Sequence, residues 1–435
     1  MNRFNAKLSE IDPDVDEIIR SEQDRLENSL VMIPSESMAS KAVLETNGSV
    51  LNNKYAEGYP RKRYYTGAEN VDRAEELAIE RAKRLFSASH ASVQPTSRSA
   101  ANVEVYYALL KPGDTVLGLK LDHGGHLTHG HPINFTGRNY KFVQYEVESD
   151  SGTIDMDKVR DIARKVKPKM IVSGATAYPR TLDFKRFHEI ATEVGAYSMA
   201  DTSHISGLIV GGAHPSPLPF TDVVTTTTHK TLCGPRSAII LSREEDRLAD
   251  TSGLDEKKAK AAKSLAAKID KAVFPGLQGG PLEHTIAAKA VCFQEAMRPE
   301  FKEFAHQIVK NAKALAESLK GNGLKLVSDG TDTHLLLVDL TPMGKGLGLE
   351  VSEALAKAGI YTNRNTIPFD PSTPFRPSGI RLGTPVLTQR GMKEKEMDVV
   401  GDMIAKIAKD YTDKEKIQKA KAQVEELCRD FPLYS

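Results

Sequence analysis

Short apolar segments alternate with amphipathic segments from residue 31 to about residue 280. The apolar segments are rich in β-branched or aliphatic residues and are bounded by Gly, Pro or Asp, as in "DTVLGL", "KMIVSG", "AYSMAD", "DVVTTTT" and "SAIIL". This composition predicts β-strands. The segments between them, such as "VDRAEELAIERAKRLF" and "FKRFHEIATEV", have helical spacing. Strands that alternate with helices predict βαβ units in a mostly parallel sheet.

The 435 residues are too many for one small core, and the patterns divide them into three predicted parts. Residues 1–30 are predicted to form an N-terminal helical arm, and residues 31–282 a large α/β domain. A long helix from Glu283 begins a smaller α/β domain, residues 283–435, with strand patterns in "HLLLVDL", "GIYTNRN" and "GIRLGTP". The Ala- and Lys-rich residues 251–271 are predicted to be a solvated helix or a flexible insertion.

Charge and composition exclude several classes of partner. Lys and Arg total 59, and Asp and Glu total 58, so no basic field indicates binding to nucleic acid or to an anionic membrane. The sequence contains no apolar run of about 18 residues and no signal-peptide core in its first twenty residues. Its three cysteines are far apart, so neither a disulfide framework nor a metal site is predicted. We therefore predict a soluble, cytoplasmic protein without a metal.

Two consecutive strand patterns end in residues that can carry chemistry. "YSMADTSHISG" ends a strand at Asp201, and "TTTTHK" brings Lys230 to the end of the next. Ligands bind at the carboxyl ends of the strands in such sheets, so we expect both side chains at one edge. A lysine for a Schiff base and a carboxylate for the pyridinium nitrogen are what pyridoxal phosphate needs. Taken singly, Asp201 could instead cap a helix and Lys230 could be a solvated surface residue.

A group of small hydroxyl residues precedes a helical pattern in "VQPTSRSAANVEVYYALL". Backbone N–H groups at the start of a helix, aided by hydroxyls, bind phosphate. Ser97 and Ser99 are therefore candidates for holding the phosphate of the cofactor, and a simple helix cap is the alternative.

Nine segments resemble those of the serine hydroxymethyltransferase family, which belongs to the aminotransferase-like class of pyridoxal-phosphate enzymes. They occur in order from about residue 30 to residue 400, and they are "NKYAEGYPRKRYY", "LLKPGDTVLG", "HGGHLTHG", "GAYSMADTSHISGL", "VVTTTTHKTLCGPR", "AVFPGLQGGPLEH", "VSDGTDTHLLLVDL", "NRNTIPFDP" and "SGIRLGTP". The resemblance implies an aminotransferase-like α/β fold, with a large domain built on a mostly parallel sheet and a smaller C-terminal α/β domain.

The resemblance also implies how the cofactor, pyridoxal 5'-phosphate, is held. Lys230 would form the Schiff base, Asp201 would pair with the pyridine nitrogen, and Thr227 would lie close to the cofactor. The other predicted cofactor contacts are His126 on the ring, Thr176 near the phenolic oxygen, His204 and Arg98, the phosphate-binding Ser97, Ser99 and His229, and Tyr55, Gly279 and Gly280 from a neighbouring subunit. Because these last three would come from another chain, the resemblance implies a homodimer or homotetramer with shared active sites.

Substrate and folate contacts follow from the same resemblance. Arg381 would clamp the carboxylate of the amino acid, with Ser35 and His204 assisting, since a guanidinium matches a carboxylate with two parallel bonds. Glu57 would be the acid/base group near the serine hydroxyl, and Tyr65 would line the same site. The positions implied to contact tetrahydrofolate are Leu121, Gly125, Leu127 and Asn365.

The implied reaction interconverts serine and glycine and transfers the one-carbon unit to tetrahydrofolate. Several motif positions depart from the family pattern, including Ser37, Asp122 and Ser203. Arg98 stands where the family commonly has Gly, so its side chain is predicted either to turn to solvent or another subunit, or to add a cation beside the phosphate. The departures keep other activities open: a folate-independent threonine aldolase or transaldolase, an α-methylserine hydroxymethyltransferase, or a non-catalytic relative.

Overall fold

A computed structural model describes residues 4–434. Several helix starts are capped by a side-chain oxygen; for example, Asp155 Oδ1 accepts hydrogen bonds from the N–H groups of Asp157 and Lys158. The α-helices are α1 Leu8–Ile11, α2 Pro13–Glu27, α3 Lys41–Asn47, α4 Glu69–Phe86, α5 Arg98–Leu109, α6 Phe135–Asn139, α7 Met156–Val166, α8 Phe184–Glu193, α9 Ser206–Val210, α10 Glu256–Lys263, α11 Leu265–Lys271, α12 Glu283–Ala296, α13 Pro299–Gly321, α14 Gly348–Lys357, α15 Pro385–Gln389, α16 Glu394–Lys409 and α17 Lys414–Asp430.

Short strands form the sheets. The strands are β1 Leu30–Val31, β2 Gly58–Tyr59, β3 Lys62–Arg63, β4 His90–Ser92, β5 Thr115–Leu119, β6 Lys141–Tyr145, β7 Met170–Gly174, β8 Tyr197–Asp201, β9 Val223–Thr227, β10 Ala238–Ser242, β11 Lys325–Leu326, β12 Leu335–Asp339, β13 Ile360–Tyr361, β14 Asn363–Asn365 and β15 Gly379–Gly383. Each of the five quoted strand patterns of the large domain coincides with an observed strand to within one residue at each end, namely β5, β7, β8, β9 and β10.

The large sheet has the strand order β4-β10-β9-β8-β7-β5-β6. β5 pairs in parallel with β6 and β7, and the pairs β7–β8 and β8–β9 are also parallel. Only β10 runs against its neighbours, β4 and β9. Every residue of β7, β8, β9 and β10 except Tyr197 is buried, which explains their continuous apolar or Thr-rich sequences, because both faces of the sheet are covered. The predicted mostly parallel sheet is confirmed.

The smaller sheet is antiparallel, with the order β11-β12-β15-β14. A separate two-stranded pair joins β1 to β13 in parallel, with Leu30 opposite Ile360. Leu30 and Met32 also belong to the hydrophobic core of the C-terminal part. The segment that follows the N-terminal arm is therefore bound to the C-terminal part of the chain.

The two main cores meet along one long helix. The buried side chains of α12 pack into the core of the large sheet, as do Ala305 and Ile308 in the first half of α13. Ala312, Leu315 and Leu319, in its second half, pack into the core of the C-terminal part. The change of core thus falls within α13, after the predicted boundary at residue 282, and the three-part division itself stays a prediction.

Residues 251–271 differ from their prediction in one half. α10 has no buried residue and is the solvated helix that was expected. α11 is not solvated: Leu265 and Ile269 lie in a core cluster beneath the large sheet, so the prediction is wrong there. The Ala- and Lys-rich composition hides an apolar i, i+4 pair that packs inward. Among the helices of residues 4–434, none is both long and apolar enough to cross a membrane.

Candidate active site

Four predicted site residues follow the ends of strands in the large sheet. Asp201 ends β8, Thr176 lies two residues after β7, Lys230 three residues after β9, and Ser97 five residues after β4. β4 and β9 run in the same direction, because both are antiparallel to β10. The carboxyl ends of these strands therefore meet at one edge, as parallel α/β sheets require of a ligand site.

Asp201 is the centre of a buried group that we call the Asp201 cluster: Arg98, Asn102, His129, Asp201 and Lys230. The Asp201 Oδ2 atom accepts from Arg98 Nε at 2.6 Å, from Asn102 Nδ2 at 2.9 Å and from His129 Nε2 at 3.1 Å. The N–H of His126 points at His129 Nδ1 (3.2 Å), so the His129 proton is on Nε2. Burial alone would raise the pKa of Asp201, but the Arg98 guanidinium and His129 hold it well below its usual value. Asp201 is therefore an ionised carboxylate.

Lys230 is the lysine predicted to lie at this edge of the sheet, and only 6% of its surface is exposed. Burial, reinforced by the nearby charge of Arg98, lowers its pKa well below the ordinary value. Its amine is therefore neutral more often than a surface lysine's, and a neutral amine is the form that attacks a carbonyl carbon. The solvated surface alternative for Lys230 is wrong.

Arg98 does not turn to solvent. It is 6% exposed, and besides Asp201 its guanidinium donates from Nη1 to Thr176 Oγ1 at 2.8 Å and from Nη2 to the Ala175 carbonyl at 3.4 Å. Arg98 is the first residue of α5, and Asp201 is the buried carboxylate that it reaches. Of the two alternatives predicted for Arg98, the outward side chain is wrong, because a buried carboxylate attracts a guanidinium more strongly than water does. The other alternative, a cation beside the phosphate, stays a prediction.

Three predicted histidines surround Lys230 in neutral form. Burial lowers the pKa of His126 far below its usual value, and its Nδ1 lies 2.6 Å from Thr128 Oγ1. Burial and Lys230 lower the pKa of His229 to about 3, and His229 Nδ1 is buried without a hydrogen-bond partner. Burial also lowers the pKa of His204, whose Nδ1 lies 3.4 Å from His334 Nε2. A buried orphan nitrogen next to Lys230 is a place for a polar ligand.

Arg381 enters the site from the small sheet, on β15. It is buried, it donates to the Thr176 carbonyl and to Asn363 Oδ1, and burial lowers its pKa to about 10. Within residues 4–434 no carboxylate forms an ion pair with it. The turn that carries Ser35 packs on the end of the same strand, since a Cβ on Gly383 would lie 2.6 Å from Pro34 Cα. A buried guanidinium without a counter-ion is suited to an anionic substrate group.

Five other predicted residues lie together on the surface, and we call them the Tyr55 cluster: Tyr55, Glu57, Tyr65, Gly279 and Gly280. Tyr65 Oη donates to Glu57 Oε2 at 3.3 Å, and the Tyr55 and Tyr65 rings are 5.4 Å apart. A Cβ on Gly279 would lie 3.3 Å from Glu57 Oε1, and one on Gly280 would lie 3.1 Å from Tyr55 Cε1. Tyr55 is 59% and Tyr65 45% exposed. In the part of the chain described, no hydrogen bond or ion pair joins this cluster to the Asp201 cluster.

Three hydroxyl residues of the predicted site have local partners or lie at the surface. Ser97 caps α5, its Oγ accepting from the N–H of Ala100 at 3.1 Å, which is the helix-cap alternative. Thr227 is buried and donates from Oγ1 to the Ser203 carbonyl at 3.0 Å. Ser99 is exposed beside Ser97.

Two of the four predicted folate contacts, Leu121 and Asn365, lie on neighbouring segments. Leu121 lies in a short 3-10 helix, Leu121–His123, and Asn365 ends β14. The His123 and Phe369 rings meet edge-on with centroids 4.6 Å apart, so the segments that carry Leu121 and Asn365 are neighbours. Leu127 is exposed. Gly125 has a backbone reason of its own, because a Cβ there would lie 2.1 Å from the Leu119 carbonyl oxygen.

Three residues that bond to Asp201 or Arg381 are not predicted from the sequence, namely Asn102, His129 and Asn363. His129 is within the quoted motif "HGGHLTHG" and could have been found there. Asn102 lies four residues after Arg98 in α5, and this i, i+4 spacing puts both side chains on the face toward Asp201. Asn363 has no local signal, because the contact depends on how β14 and β15 pair.

The fold is the aminotransferase-like α/β fold of pyridoxal-phosphate enzymes, as predicted, and the site places a buried lysine beside an ionised carboxylate. A family model described as "Serine hydroxymethyltransferase" matches residues 8–404. Over 433 residues the chain is 53% identical to a serine hydroxymethyltransferase of Koribacter versatilis (strain Ellin345), covering 100% of this chain and 97% of that protein. The chain belongs to the serine hydroxymethyltransferase family. Membership confirms the predicted enzyme class, a pyridoxal-phosphate-dependent hydroxymethyltransferase, and nothing in the comparisons favours the alternatives.

Proposed function

We propose that this enzyme binds pyridoxal phosphate at the Asp201 cluster and interconverts serine and glycine, with tetrahydrofolate as the one-carbon acceptor. One observation carries the proposal: a buried lysine with a lowered pKa lies at the same edge of the large sheet as an ionised aspartate, and a buried arginine of the small sheet, with no carboxylate partner among residues 4–434, reaches the Thr176 carbonyl there. A neutral amine, a carboxylate and a guanidinium are the groups that a cofactor aldehyde, a pyridine nitrogen and an amino-acid carboxylate require, in that order.

The residues present fit the cofactor in chemistry. Lys230 would hold it covalently, Asp201 would pair with its ring nitrogen, and the neutral His126 would stack on its ring. His229, Ser97 and Ser99 would face its phosphate, with the orphan Nδ1 of His229 available as a hydrogen-bonding atom. When bound, pyridoxal phosphate withdraws electrons from the bond that breaks at the amino-acid Cα.

The protein's own groups orient the substrate and move protons. Arg381 would hold the substrate carboxylate, with Ser35 and His204 near it, and this fixes which bond at Cα lies in the reactive direction. Thr176 and Thr227, at the ends of their strands, would keep the cofactor in register with that substrate. Glu57 would take the proton from the serine hydroxyl or return it, with Tyr65 beside it.

The Tyr55 cluster of one chain would contribute to the active site of a second copy of this chain. Its aromatic rings are exposed, and among residues 4–434 no hydrogen bond or ion pair joins it to the Asp201 cluster of the same chain. A homodimer or homotetramer would bring Glu57 and Tyr65 of one chain to Lys230 of another, and would bring Tyr55, Gly279 and Gly280 to the phosphate. Tetrahydrofolate would bind at the rim formed by Leu121, Gly125, Leu127 and Asn365. The cytoplasmic location remains a prediction from the sequence.

Product analysis tests the proposal. The purified enzyme with serine, tetrahydrofolate and added pyridoxal phosphate should form glycine and methylenetetrahydrofolate in equal amounts. Without folate, glycine formation should fall strongly. If threonine and an acceptor aldehyde gave a new β-hydroxy amino acid at a higher rate, and folate had no effect, the transaldolase alternative would replace the proposal. A higher rate with α-methylserine than with serine would favour the α-methylserine enzyme.

A further inference from the structure

Arg98 uses the same partners that the cofactor would use. Its Nε atom is 2.6 Å from Asp201 Oδ2, and its Nη1 atom is 2.8 Å from Thr176 Oγ1. Asp201 is the proposed partner of the ring nitrogen, and Thr176 is the proposed neighbour of the phenolic oxygen. The guanidinium therefore occupies two of the hydrogen-bonding groups that the proposed function assigns to pyridoxal phosphate.

Asp201 has no acceptor site left for a further donor. Its Oδ2 atom accepts from Arg98, Asn102 and His129, and its Oδ1 atom accepts from Ser203 Oγ at 2.7 Å and from Ser203 N at 3.2 Å. A carboxylate offers about four lone-pair sites, so these donors already use them all. A ring nitrogen can bond to Asp201 only if one of the donors leaves.

Arg98 is the donor that can leave. Asn102 is fixed, because its Nδ2 also donates to Thr128 Oγ1 at 2.8 Å and its Oδ1 accepts from Thr225 Oγ1 at 2.7 Å. His129 is fully buried, and its Nδ1 accepts from the N–H of His126. Ser203 is two residues from Asp201 in the chain, so the backbone holds its N–H and hydroxyl close to Asp201 Oδ1. Arg98, in contrast, starts α5 on a long flexible side chain and adjoins the exposed residues Ser97 and Ser99.

We propose that Arg98 is a competing counter-ion, which neutralises Asp201 in the cofactor-free enzyme and is displaced when pyridoxal phosphate binds. The inference rests on the proposed function, since it assumes that the cofactor pairs with Asp201. It adds that this chain binds the cofactor more weakly than its scaffold allows, because each binding event must break a buried, charge-assisted hydrogen bond. The cofactor-free protein, in return, keeps its buried aspartate neutralised.

The test measures cofactor binding in full-length protein from which pyridoxal phosphate has been removed. Equilibrium dialysis and the absorbance of the bound cofactor give Kd for wild type, Arg98→Ala, Arg98→Gly and Arg98→Lys. We expect the Ala and Gly variants to bind pyridoxal phosphate about tenfold more tightly than wild type or better, which is the loss of roughly one charge-assisted hydrogen bond. The Lys variant keeps the charge with a single donor group, so its Kd should lie between. Without cofactor, Arg98→Ala should melt at a lower temperature than wild type.

Arg247→Ala is the matched control. Arg247 is also a partly buried arginine paired with an aspartate, at 2.8 Å from Asp222, but Asp222 precedes β9 at the opposite end from Lys230. Its loss should lower the melting temperature and leave the cofactor Kd unchanged. Equal or weaker binding by Arg98→Ala would overturn the inference, and if that variant does not fold, a Kd for Arg98→Lys at or above the wild-type value would do so. If wild type binds no pyridoxal phosphate, the proposed function itself fails.

Discussion

The Asp201 cluster and the Tyr55 cluster both belong to the proposed active site, yet they differ in burial and in how many bonds hold them. The Asp201 cluster is buried, and its carboxylate is saturated by donors from the same chain. The Tyr55 cluster is exposed, and a single hydrogen bond of 3.3 Å joins its side chains. In the proposed shared site, a neighbouring copy would close over the exposed Tyr55 cluster. The four predictions that follow separate the two clusters.

The largest effect concerns activity and its recovery. Lys230→Ala should lose its covalent attachment to the cofactor, and Glu57→Gln should lose acid/base catalysis, worth about 10²–10⁴-fold. Because the two groups would come from different chains, co-expression of the two variants should recover about a quarter of wild-type kcat, from mixed dimers with one intact site. As a control, co-expression of Lys230→Ala with Asp201→Ala should recover nothing, since both residues belong to the same cluster. Absence of recovery in the first pair would show that Glu57 serves its own chain.

The next effect concerns stability. Asp201→Ala should lower the free energy of unfolding of the cofactor-free protein by about 3–5 kcal/mol, because it leaves the Arg98 guanidinium buried without a partner. Glu57→Ala, in the Tyr55 cluster, should leave the free energy of unfolding within experimental error. Urea unfolding measures both. The double variant Arg98→Ala, Asp201→Ala should regain part of the loss, and equal losses for Asp201→Ala and Glu57→Ala would erase the distinction between the clusters.

The third effect is a pH dependence of stability, to which two buried histidines near the Asp201 cluster contribute. Burial lowers the pKa of His229 and of His334 from 6.5 to about 3. Below pH 6.5 the unfolded chain therefore binds protons that the folded chain does not. The free energy of unfolding should fall as the pH drops from 6.5 toward 3, by up to about 1.4 kcal/mol per pH unit for each histidine. Urea titrations at pH 7 and pH 5 should show a smaller slope for His334→Gln, whereas the exposed His306→Gln should match wild type.

The smallest effect compares two tyrosine hydroxyls. Tyr106 is buried beside the Asp201 cluster and donates to the Thr128 carbonyl at 3.1 Å, so Tyr106→Phe should cost about 1 kcal/mol of stability. Tyr65→Phe removes a hydroxyl from the exposed cluster and should leave thermal unfolding unchanged while lowering kcat. If Tyr65→Phe instead lowered the melting temperature, the Tyr55 cluster would be a stabilising element of the single chain.

The sequence predicts most of what depends on local pattern. β8 and β9 are predictable because each is a short segment rich in apolar or β-branched residues and bounded by Gly, Pro or Asp. The direction of β10 is not, since periodicity does not encode whether a strand runs parallel or antiparallel. α11 was missed because Leu265 and Ile269 are outnumbered by Ala and Lys in their segment.

The interior of the site was harder to predict than its outline. The sequence motifs place Lys230, Asp201 and Arg381 in or just after strand patterns, and the structure has strands at those positions. The direction of the Arg98 side chain depends on a carboxylate about one hundred residues away, and no local signal contains that contact. Whether the cofactor displaces Arg98 depends on which of them pairs more strongly with Asp201. A sequence pattern does not contain that energy difference.

The pairing of β1 with β13 has a consequence for biosynthesis. Leu30 lies opposite Ile360, so β1 cannot pair with β13 until about 330 further residues have been synthesised. Their synthesis takes roughly 20 seconds to a minute. Ser35 follows β1 closely, and its turn packs on Gly383 of β15. Residues 30–35, which include the predicted substrate contact Ser35, are thus among the last parts of the chain to fold, although they are among the first to be translated. Nascent chains that stop before residue 360 should hold the large sheet but leave residues 30–35 open to proteases.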